Sequence, residues 1–363
     1  MYIPHESLTI TWQPDDKSFD ILLPWMKMTV DVSDTEKDWI QEATHCLHEK
    51  PNLPSVQRFC ETLKDYPLAY QAPRSLTDFY PQDLQSCLET VDHLDFTTPS
   101  SFLTSLKVPL SPSLEDMIPS KWTWDLNTIL TKTQIPGTPL YDPVSVVTYL
   151  ICYRLNWEST TWSGQNGLGD SLEQILQQDE EKFFWAMGWI SRQSHYVTKQ
   201  FHIAVKPALE SFPKAHKELQ HFIQDEVGHY KFMEQTLQDL GFKGPEEFSL
   251  GEGTRWMLDA YEEMGRISPL AFSAMINIFE AAYYEGQDPL SRVLKQSSRP
   301  EAARGYDLHY KINQEHRHCD MPVIFSKHIA PQTKDHVRLT VCLFETTLHF
   351  LDEMEKQLLG TIR

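Results

Sequence analysis

Basic residues are scarce in this chain, and their scarcity narrows the range of its partners. Its 363 residues include 32 Lys and Arg against 51 Asp and Glu, which gives a formal net charge of −19. A surface with this balance cannot neutralise rows of phosphates, so nucleic acid is not expected as a partner. An anionic membrane surface is not expected for the same reason. No apolar run approaches the length of a membrane span either.

Cysteine is also sparse, and the positions of the cysteines argue against folds that are stabilised by disulfides or by structural zinc. The chain has six cysteines, and no two of them form a Cys-x-x-Cys pair. A disulfide framework or a structural zinc site is therefore not expected, and a reducing cytoplasm is the expected location. The opening residues, MYIPHESLTITW, lack a basic stretch followed by an apolar one, so no secretory signal is expected.

The apolar content is sufficient for one large domain or two smaller ones, since 40% of the residues are hydrophobic. In residues 1–65, SLTITW and FDILLPWMKMTVDV alternate in polarity and predict two or three short strands. Two helical patterns follow, in residues 32–50 and 54–66. This order predicts a small α+β module resembling a winged helix. By analogy of fold alone, such a module would bind a peptide or protein partner or form a homodimer contact.

The remainder of the chain divides into two regions of different composition. Residues 66–141 are rich in Pro and Ser, which predicts an irregular connecting region. Residues 142–363 show helical periodicity with Gly and Pro at the joints, so a mainly α bundle is expected there. The predicted helices are 143–157, 171–207 with a break, 212–241, 252–264, 267–285, 300–318 and 332–358.

The predicted helix 212–241 carries two polar side chains on its apolar stripe. Glu226 and His229 stand among Leu219, Phe222 and Met233. A carboxylate in an apolar interior is costly unless it is paired or binds a metal. Glu-x-x-His places both groups on adjacent turns, where they can share a metal ion. A plain ion pair or a solvated face explains this short pattern equally well.

Two further helices offer groups that complete a metal site. Glu280 lies at the edge of an apolar stripe in a stretch that is free of other charges from Pro269 to Tyr284. In residues 300–318, two faces compete. One face carries Tyr306, His309, Asn313 and His316. The other face carries Lys311, Glu315 and His318, and Lys311 would repel a cation there, so the first face is preferred. Carboxylates and imidazoles that face inward across a bundle suit iron or manganese.

The segment from about Gln193 to Glu353 resembles the haem-oxygenase-like non-haem di-iron oxidases. Their motif of Asp-Glu-x-Gly followed by Leu-Gly corresponds to residues 225–228 and 240–241. Their inward Glu corresponds to Glu280, and their H-x-x-x-D-x-x-H corresponds to His309, Asn313 and His316. His229 stands three residues after the first Glu, as it does in the 1-undecene-forming branch of that family.

The resemblance implies a haem-oxygenase-like up-down bundle that binds one or two Fe(II) ions and activates dioxygen. Reactions in that family include N-oxygenation, desaturation, decarboxylation and C–C cleavage, so the expected substrate is a small molecule or a peptide in a biosynthetic pathway. Two positions depart from the family pattern. Asn313 replaces its Asp, and Gln193 stands where an acid is expected. The pocket residues expected beside the metal are Gln193, Tyr196 and Tyr283.

Two alternatives remain open at the level of sequence. Ferritin-like N-oxygenases use Glu-x-x-His twice, which Glu226 with His229 and Glu315 with His318 would satisfy, with Glu280 between them. The second alternative is a non-catalytic helical scaffold that has lost its metal, and the replacements at Gln193 and Asn313 motivate it.

Overall fold

The computed structural model describes residues 1–23, 26–63, 68–85, 91–123, 126–160, 168–280 and 287–362. In these ranges the chain is mainly helical, with a small antiparallel sheet near the N-terminus. No helix in this part of the chain has both the length and the apolar character that crossing a bilayer requires.

The N-terminal module consists of short strands and two helices around a core of its own. Its elements are β1 (Tyr2–Pro4), β2 (Thr9–Trp12), β3 (Ser18–Leu23), β4 (Met26–Asp31), α1 (Lys37–His45), α2 (Pro54–Leu63) and β5 (Ala69–Gln71). Strands β2, β3 and β4 pair antiparallel in that order, and β1 pairs with β5. Phe19 and Ile21 on β3 pack with Val56 and Phe59 on α2. The predicted order of strands before helices is present, while a partner-binding role for this module stays a prediction.

Short helices follow in the region rich in Pro and Ser. They are α3 (Pro81–Gln85), α4 (Pro99–Ser105), α5 (Pro112–Glu115) and α6 (Leu126–Thr133). Thr98 caps α4 by accepting a hydrogen bond from the Ser101 backbone N–H, and Pro99 occupies the first helical turn, where its missing N–H costs nothing. Phe102, Leu103 and Ile129 are fully buried in the main core. This irregular stretch therefore packs against the helices that follow it.

The main helices begin at Pro143. They are α7 (Pro143–Thr160), α8 (Leu168–Gln178), α9 (Glu180–Ala204), α10 (Lys206–Ser211), α11 (His216–Glu226), α12 (Tyr230–Asp239), α13 (Glu252–Ile267), α14 (Pro269–Glu280), α15 (Pro289–Leu294), α16 (Arg304–Glu315), α17 (Met321–Ser326) and α18 (Lys334–Ile362). Helix α14 lies at the centre, in contact with α7, α13, α17 and α18. Its Phe272 and Ile276 are fully buried, as expected of a helix that is apolar on most sides.

Two predicted helices are interrupted, and both interruptions matter for the site. The predicted helix 212–241 is wrong as one element, because α11 ends at Glu226 and α12 begins at Tyr230. Gly228 lies in the turn with a φ of 98°, a left-handed conformation that glycine adopts without strain. The predicted helix 300–318 is also wrong as one element. It ends at Glu315, and Arg317 takes the left-handed conformation with a φ of 55°.

Candidate metal centre

Five side chains from separate elements meet in one buried cluster. Glu226 is the last residue of α11, and His229 lies in the turn before α12. Glu280 ends the described part of α14, while His309 lies in the middle of α16. His318 follows the break after α16. Glu226, His229 and Glu280 are at most 6% exposed, and His318 is fully buried. These five side chains are called the metal cluster below.

Glu226 lies between two groups of donors and offers one oxygen to each. Its Oε2 is 3.0 Å from Nδ1 of His229. Its Oε1 is 3.0 Å from Nδ1 of His318, and the same nitrogen is 3.3 Å from Oε2 of Glu280. Two ligand atoms that share one metal at about 2.1 Å, with an angle of roughly 90° to 110°, stand about 3.0–3.4 Å apart. The observed separations therefore suit a shared cation as well as direct hydrogen bonds.

The cluster divides into two trios that share Glu226. One trio is Glu226, His229 and His309, and the other is Glu226, Glu280 and His318. Within each trio, one ligand atom per residue lies within 4.8 Å of the others. A carboxylate that offers a separate oxygen to each of two trios is compatible with a pair of neighbouring metal ions.

The break after α16 allows His309 and His318 to reach the same cluster. On a continuous helix, nine residues at about 100° each would place these two side chains on opposite faces. Arg317 reverses the backbone in its left-handed conformation, and His318 then turns inward at the start of a short 3₁₀ turn, His318–Asp320. The metal cluster thus contains one residue from each of the two competing faces of the predicted helix 300–318. His309 comes from one face and His318 from the other.

Gly305 sets how closely α16 approaches α12. A methyl group at this position would overlap the backbone carbonyl of Phe232 and the hydroxyl of Thr236. Thr236 donates a hydrogen bond of 3.1 Å to the carbonyl oxygen of Ala302, which fixes the start of α16 against α12. Because α16 lies so close, the ring centroid of His309 comes within 5.2 Å of that of His229.

Burial and charge act in opposite directions on the titratable groups of the cluster. Burial raises the pKa of Glu280, and the neighbouring Glu226 raises it further. For Glu226, burial opposes ionisation, but hydrogen bonds from His229 and His318 bring its pKa below the ordinary value. Burial opposes the charge of His318 as well, yet the two carboxylates raise its pKa to about 10. Without a cation, protons on these groups balance the buried negative charge, and a metal would take their place.

Burial lowers the pKa of His309 to about 4. Its imidazole is therefore neutral near pH 7, and its Nε2 is buried without a hydrogen-bond partner. A buried nitrogen in this state is costly unless something binds it. A neutral imidazole with a free lone pair is also the form that coordinates metals. The residues present therefore fit a cation bound by nitrogen and oxygen.

Three other predicted ligands are placed outside the cluster or at its edge. Asn313 is buried, and its Nδ2 donates a hydrogen bond of 3.2 Å to Oε2 of Glu280. His316, preferred as an inward ligand, is exposed at the rim, with its Nδ1 2.9 Å from Oδ2 of Asp225. Glu315 is 59% exposed at its side chain and lies 3.7 Å from Lys311. His316 does not face inward together with His309 and Asn313, because the helix ends before that residue. Its ring instead lies with Asp225 and His318 in a further group whose ligand atoms are within 4.8 Å of one another, so its role as a ligand stays a prediction.

A cavity of about 290 Å³ adjoins the metal cluster. Its lining includes Glu280, His309 and Asn313, together with apolar side chains such as Met233, Met257 and Leu351. This volume lies near the lower end of the range for small-molecule sites. The cavity brings any ligand within it into contact with two members of the cluster.

The three predicted pocket residues have different outcomes. Gln193 lines the cavity, but its amide is fully used: Oε1 accepts from Gly251 N and Thr254 Oγ1, and Nε2 donates to two carbonyl oxygens. It joins α9 to the start of α13. Tyr196 is half-buried and packs against the main core, outside the described lining of the cavity. Tyr283 lies outside the described residues.

Sequence reasoning missed several polar residues that line the cavity, among them Arg154, Asp288, Tyr310 and Glu355. The sequence does indicate that Glu355 is buried, because this acid occupies one position of an apolar helical stripe. The stripe runs in steps of three and four through Phe344, Leu348, Leu351, Glu355, Leu358 and Ile362. Of the others, Asp288 lies at the start of α15, where periodicity gives no direction, whereas Arg154 and Tyr310 lie within α7 and α16.

Comparison with known proteins adds no family assignment. No family model matches this chain, and no curated protein matches it by sequence. The evidence for a function therefore comes from the metal cluster and the cavity beside it.

Proposed function

We propose that this protein is a non-haem iron oxidase or oxygenase, with a di-iron centre of the kind found in the haem-oxygenase-like family. The observation that carries the proposal is the metal cluster itself: two carboxylates and three imidazoles from five separate elements, four of them buried and His309 half-buried, that form two trios sharing Glu226. Carboxylate and imidazole donors in this ratio suit iron or manganese better than zinc or magnesium. A bound ferrous centre would supply the activation of dioxygen for the oxidation of a small molecule.

Each residue of the cluster has a separable role in this proposal. Glu226 would bridge the two trios, because its two oxygens already face different histidines. His229 and His309 would complete one trio, and Glu280 and His318 the other. Asn313 is a positioning residue, since its amide hydrogen bond fixes the carboxylate of Glu280. An amide at this position keeps Glu280 oriented without adding a negative charge.

The cavity would hold the substrate beside the cluster and limit the access of water. Its lining is mainly apolar, and Glu280 and His309 contribute to its wall. Tyr306 also lines it, but its hydroxyl is 3.0 Å from Ser191 Oγ, which holds the ring in place. A dry, shaped cavity protects a reactive oxidant and orients the substrate relative to it.

Anaerobic titration with Fe(II) tests the metal centre directly. The full-length protein, stripped of metal, should bind one to two equivalents of iron and then consume dioxygen on exposure to air. The Glu226→Ala variant should lose most of its iron binding, because both trios lose a shared ligand. Glu315→Ala serves as the matched control, since this exposed acid lies in the competing Glu-x-x-His pattern.

Two results would overturn the proposal. If Glu226→Ala binds iron as the parent protein does, the cluster is not the metal site. If the parent protein binds well below one equivalent of iron, the chain is better explained as a scaffold. A loss of iron in Glu315→Ala equal to that in Glu226→Ala would instead favour the ferritin-like arrangement of ligands.

A further inference from the structure

Glu355 contributes an acidic group to the cavity that the metal cluster does not use. It lies on α18, is 6% exposed, and lines the same cavity as Glu280 and His309. One of its oxygens, Oε2, is buried without a hydrogen-bond partner. A buried acid with a free oxygen in a cavity is costly unless a ligand supplies a donor.

Among the carboxyl groups of the described cavity lining outside the metal cluster, Glu355 is the one with an oxygen left for a ligand. Apart from the metal cluster, the described lining contains two carboxyl groups, Glu355 and Asp288, and one guanidinium, that of Arg154. Asp288 is occupied as the cap of α15, where its Oδ1 accepts from the backbone N–H groups of Leu290 and Ser291. Glu355 is therefore the carboxyl in this lining whose free oxygen is left for a ligand.

The protonation state of Glu355 in the ligand-free protein is consistent with a free oxygen that is available to a ligand. Burial, together with the nearby Asp352, raises its pKa to about 8, although Lys356 acts in the opposite direction. The carboxyl is thus mostly protonated near pH 7 when the cavity has no ligand. A protonated amine that enters would form an ion pair with the carboxylate, and the carboxyl proton would pass to solvent.

We infer that the cavity binds small molecules with an amine on an apolar body, and that Glu355 recognises the ammonium group. The apolar lining would hold the body of the ligand, while Glu280 and His309 in the same wall would bring part of it beside the metal cluster. That such an amine is the substrate of the enzyme rests on the proposed function. That it binds in the cavity beside Glu355 requires no metal.

Three probes of equal chain length test the inference on the full-length, metal-free protein. They are n-octylamine, 1-octanol and octanoate, and binding is measured by isothermal titration calorimetry. Octylamine should bind at least about tenfold more tightly than either of the others, because only it can pair with the buried carboxyl. Glu355→Gln should weaken octylamine binding by about tenfold or more and leave 1-octanol within about threefold.

Glu353→Gln is the matched control, because Glu353 lies on the same helix, is more exposed and pairs with Lys356 instead. It should bind all three probes as the parent protein does. Unchanged binding of 1-octanol by Glu355→Gln reports that the cavity is intact. The inference is overturned if octylamine binds no more tightly than 1-octanol, if octanoate binds most tightly, or if the two Gln variants weaken octylamine equally. Iron titration of the same Glu355→Gln protein should match the parent, so a failure of this inference and a failure of the metal centre are distinguished.

Discussion

Asp20 in the N-terminal sheet has surroundings opposite to those of Glu280 and Glu355, two buried acids among the helices. Asp20 in the N-terminal sheet is 6% exposed, and its two oxygens are engaged by Thr29, Gln13 and Lys27 at 2.7–3.0 Å. The hydrogen bond from Thr29, followed by the contact with Lys27, lowers its pKa. Among the helices, burial raises the pKa of Glu280 and of Glu355, and Glu355 keeps one oxygen without a partner.

The difference shows which buried polar groups stabilise the fold and which are kept for ligands. A carboxylate with every oxygen satisfied, such as Asp20, contributes to the structure without further partners. Acids that are crowded together or left with a free oxygen cost stability in the free protein, and such costs are concentrated at binding and catalytic sites. The predictions below test this contrast between Asp20 and the acids among the helices.

The largest effect is expected from two neighbouring histidines that the structure separates. His318→Ala should weaken Fe(II) binding by at least about a hundredfold, because His318 contacts both Glu226 and Glu280. His316→Ala should change it by less than about threefold, because His316 lies exposed at the rim. Anaerobic titration of both variants measures the difference. If His316→Ala lost more Fe(II) affinity than His318→Ala, the metal ligands would be those of the face predicted from the sequence, which carries His309 and His316.

Glu355→Gln should stabilise the metal-free protein, and more so as the pH rises. The unfolded glutamate ionises near pH 4.5, whereas the folded one has a pKa of about 8. Between these values the folded state binds the extra proton, so the stability of the parent protein falls as pH increases. The variant lacks this titration, and its advantage should grow by about 3–4 kcal/mol between pH 5 and pH 8. Thermal unfolding at the two pH values gives the comparison, and equal advantages at both would contradict it.

Gly305→Ala should both destabilise the fold and disturb the metal cluster. Its methyl group would meet backbone atoms of Phe232, which cannot move aside as a flexible side chain would. Overpacking of this kind should cost about 1–2 kcal/mol. Because α16 would be displaced from α12, iron binding through His309 should weaken as well. Gly360→Ala on α18 provides the control, because an added methyl group there meets no atom within 4 Å, and it should leave iron binding unchanged.

The smallest effect on the site is expected from Asp20→Asn. The variant should unfold at a slightly lower temperature near pH 7, since Asp20 loses its charge-assisted contact with Lys27. Because the folded pKa is lowered, the stabilising contribution is present above the unfolded pKa and is lost as pH falls through the folded one. The difference between variant and parent should therefore shrink in acid, and iron binding should be unchanged. A change in iron affinity would show that the two regions are coupled.

Sequence periodicity was reliable where one element is long and apolar. The strands before α1, the break between α8 and α9, and the extents of α7 and α13 are close to the predicted ones. Glu226, His229, Glu280 and His309 were singled out because each is polar in an apolar context, and the structure brings them together. His318 was the second choice, since Lys311 shares its face on an unbroken helix. Periodicity cannot register a single left-handed residue such as Arg317, and it therefore could not find the turn that brings His318 inward.

By itself, the sequence determined that the chain has a small α+β module before a helical region, and that this region places acids and histidines on apolar stripes. It did so because the spacing of apolar residues indicates which face of a helix or strand is buried. Only the tertiary structure decided that Glu226 faces two trios, that His316 remains outside, and that Glu355 shares a cavity with Glu280 and His309. Those outcomes depend on where helices end and how closely they approach, as at Gly228, Gly305 and Arg317. They are set by contacts between segments that lie far apart in the chain.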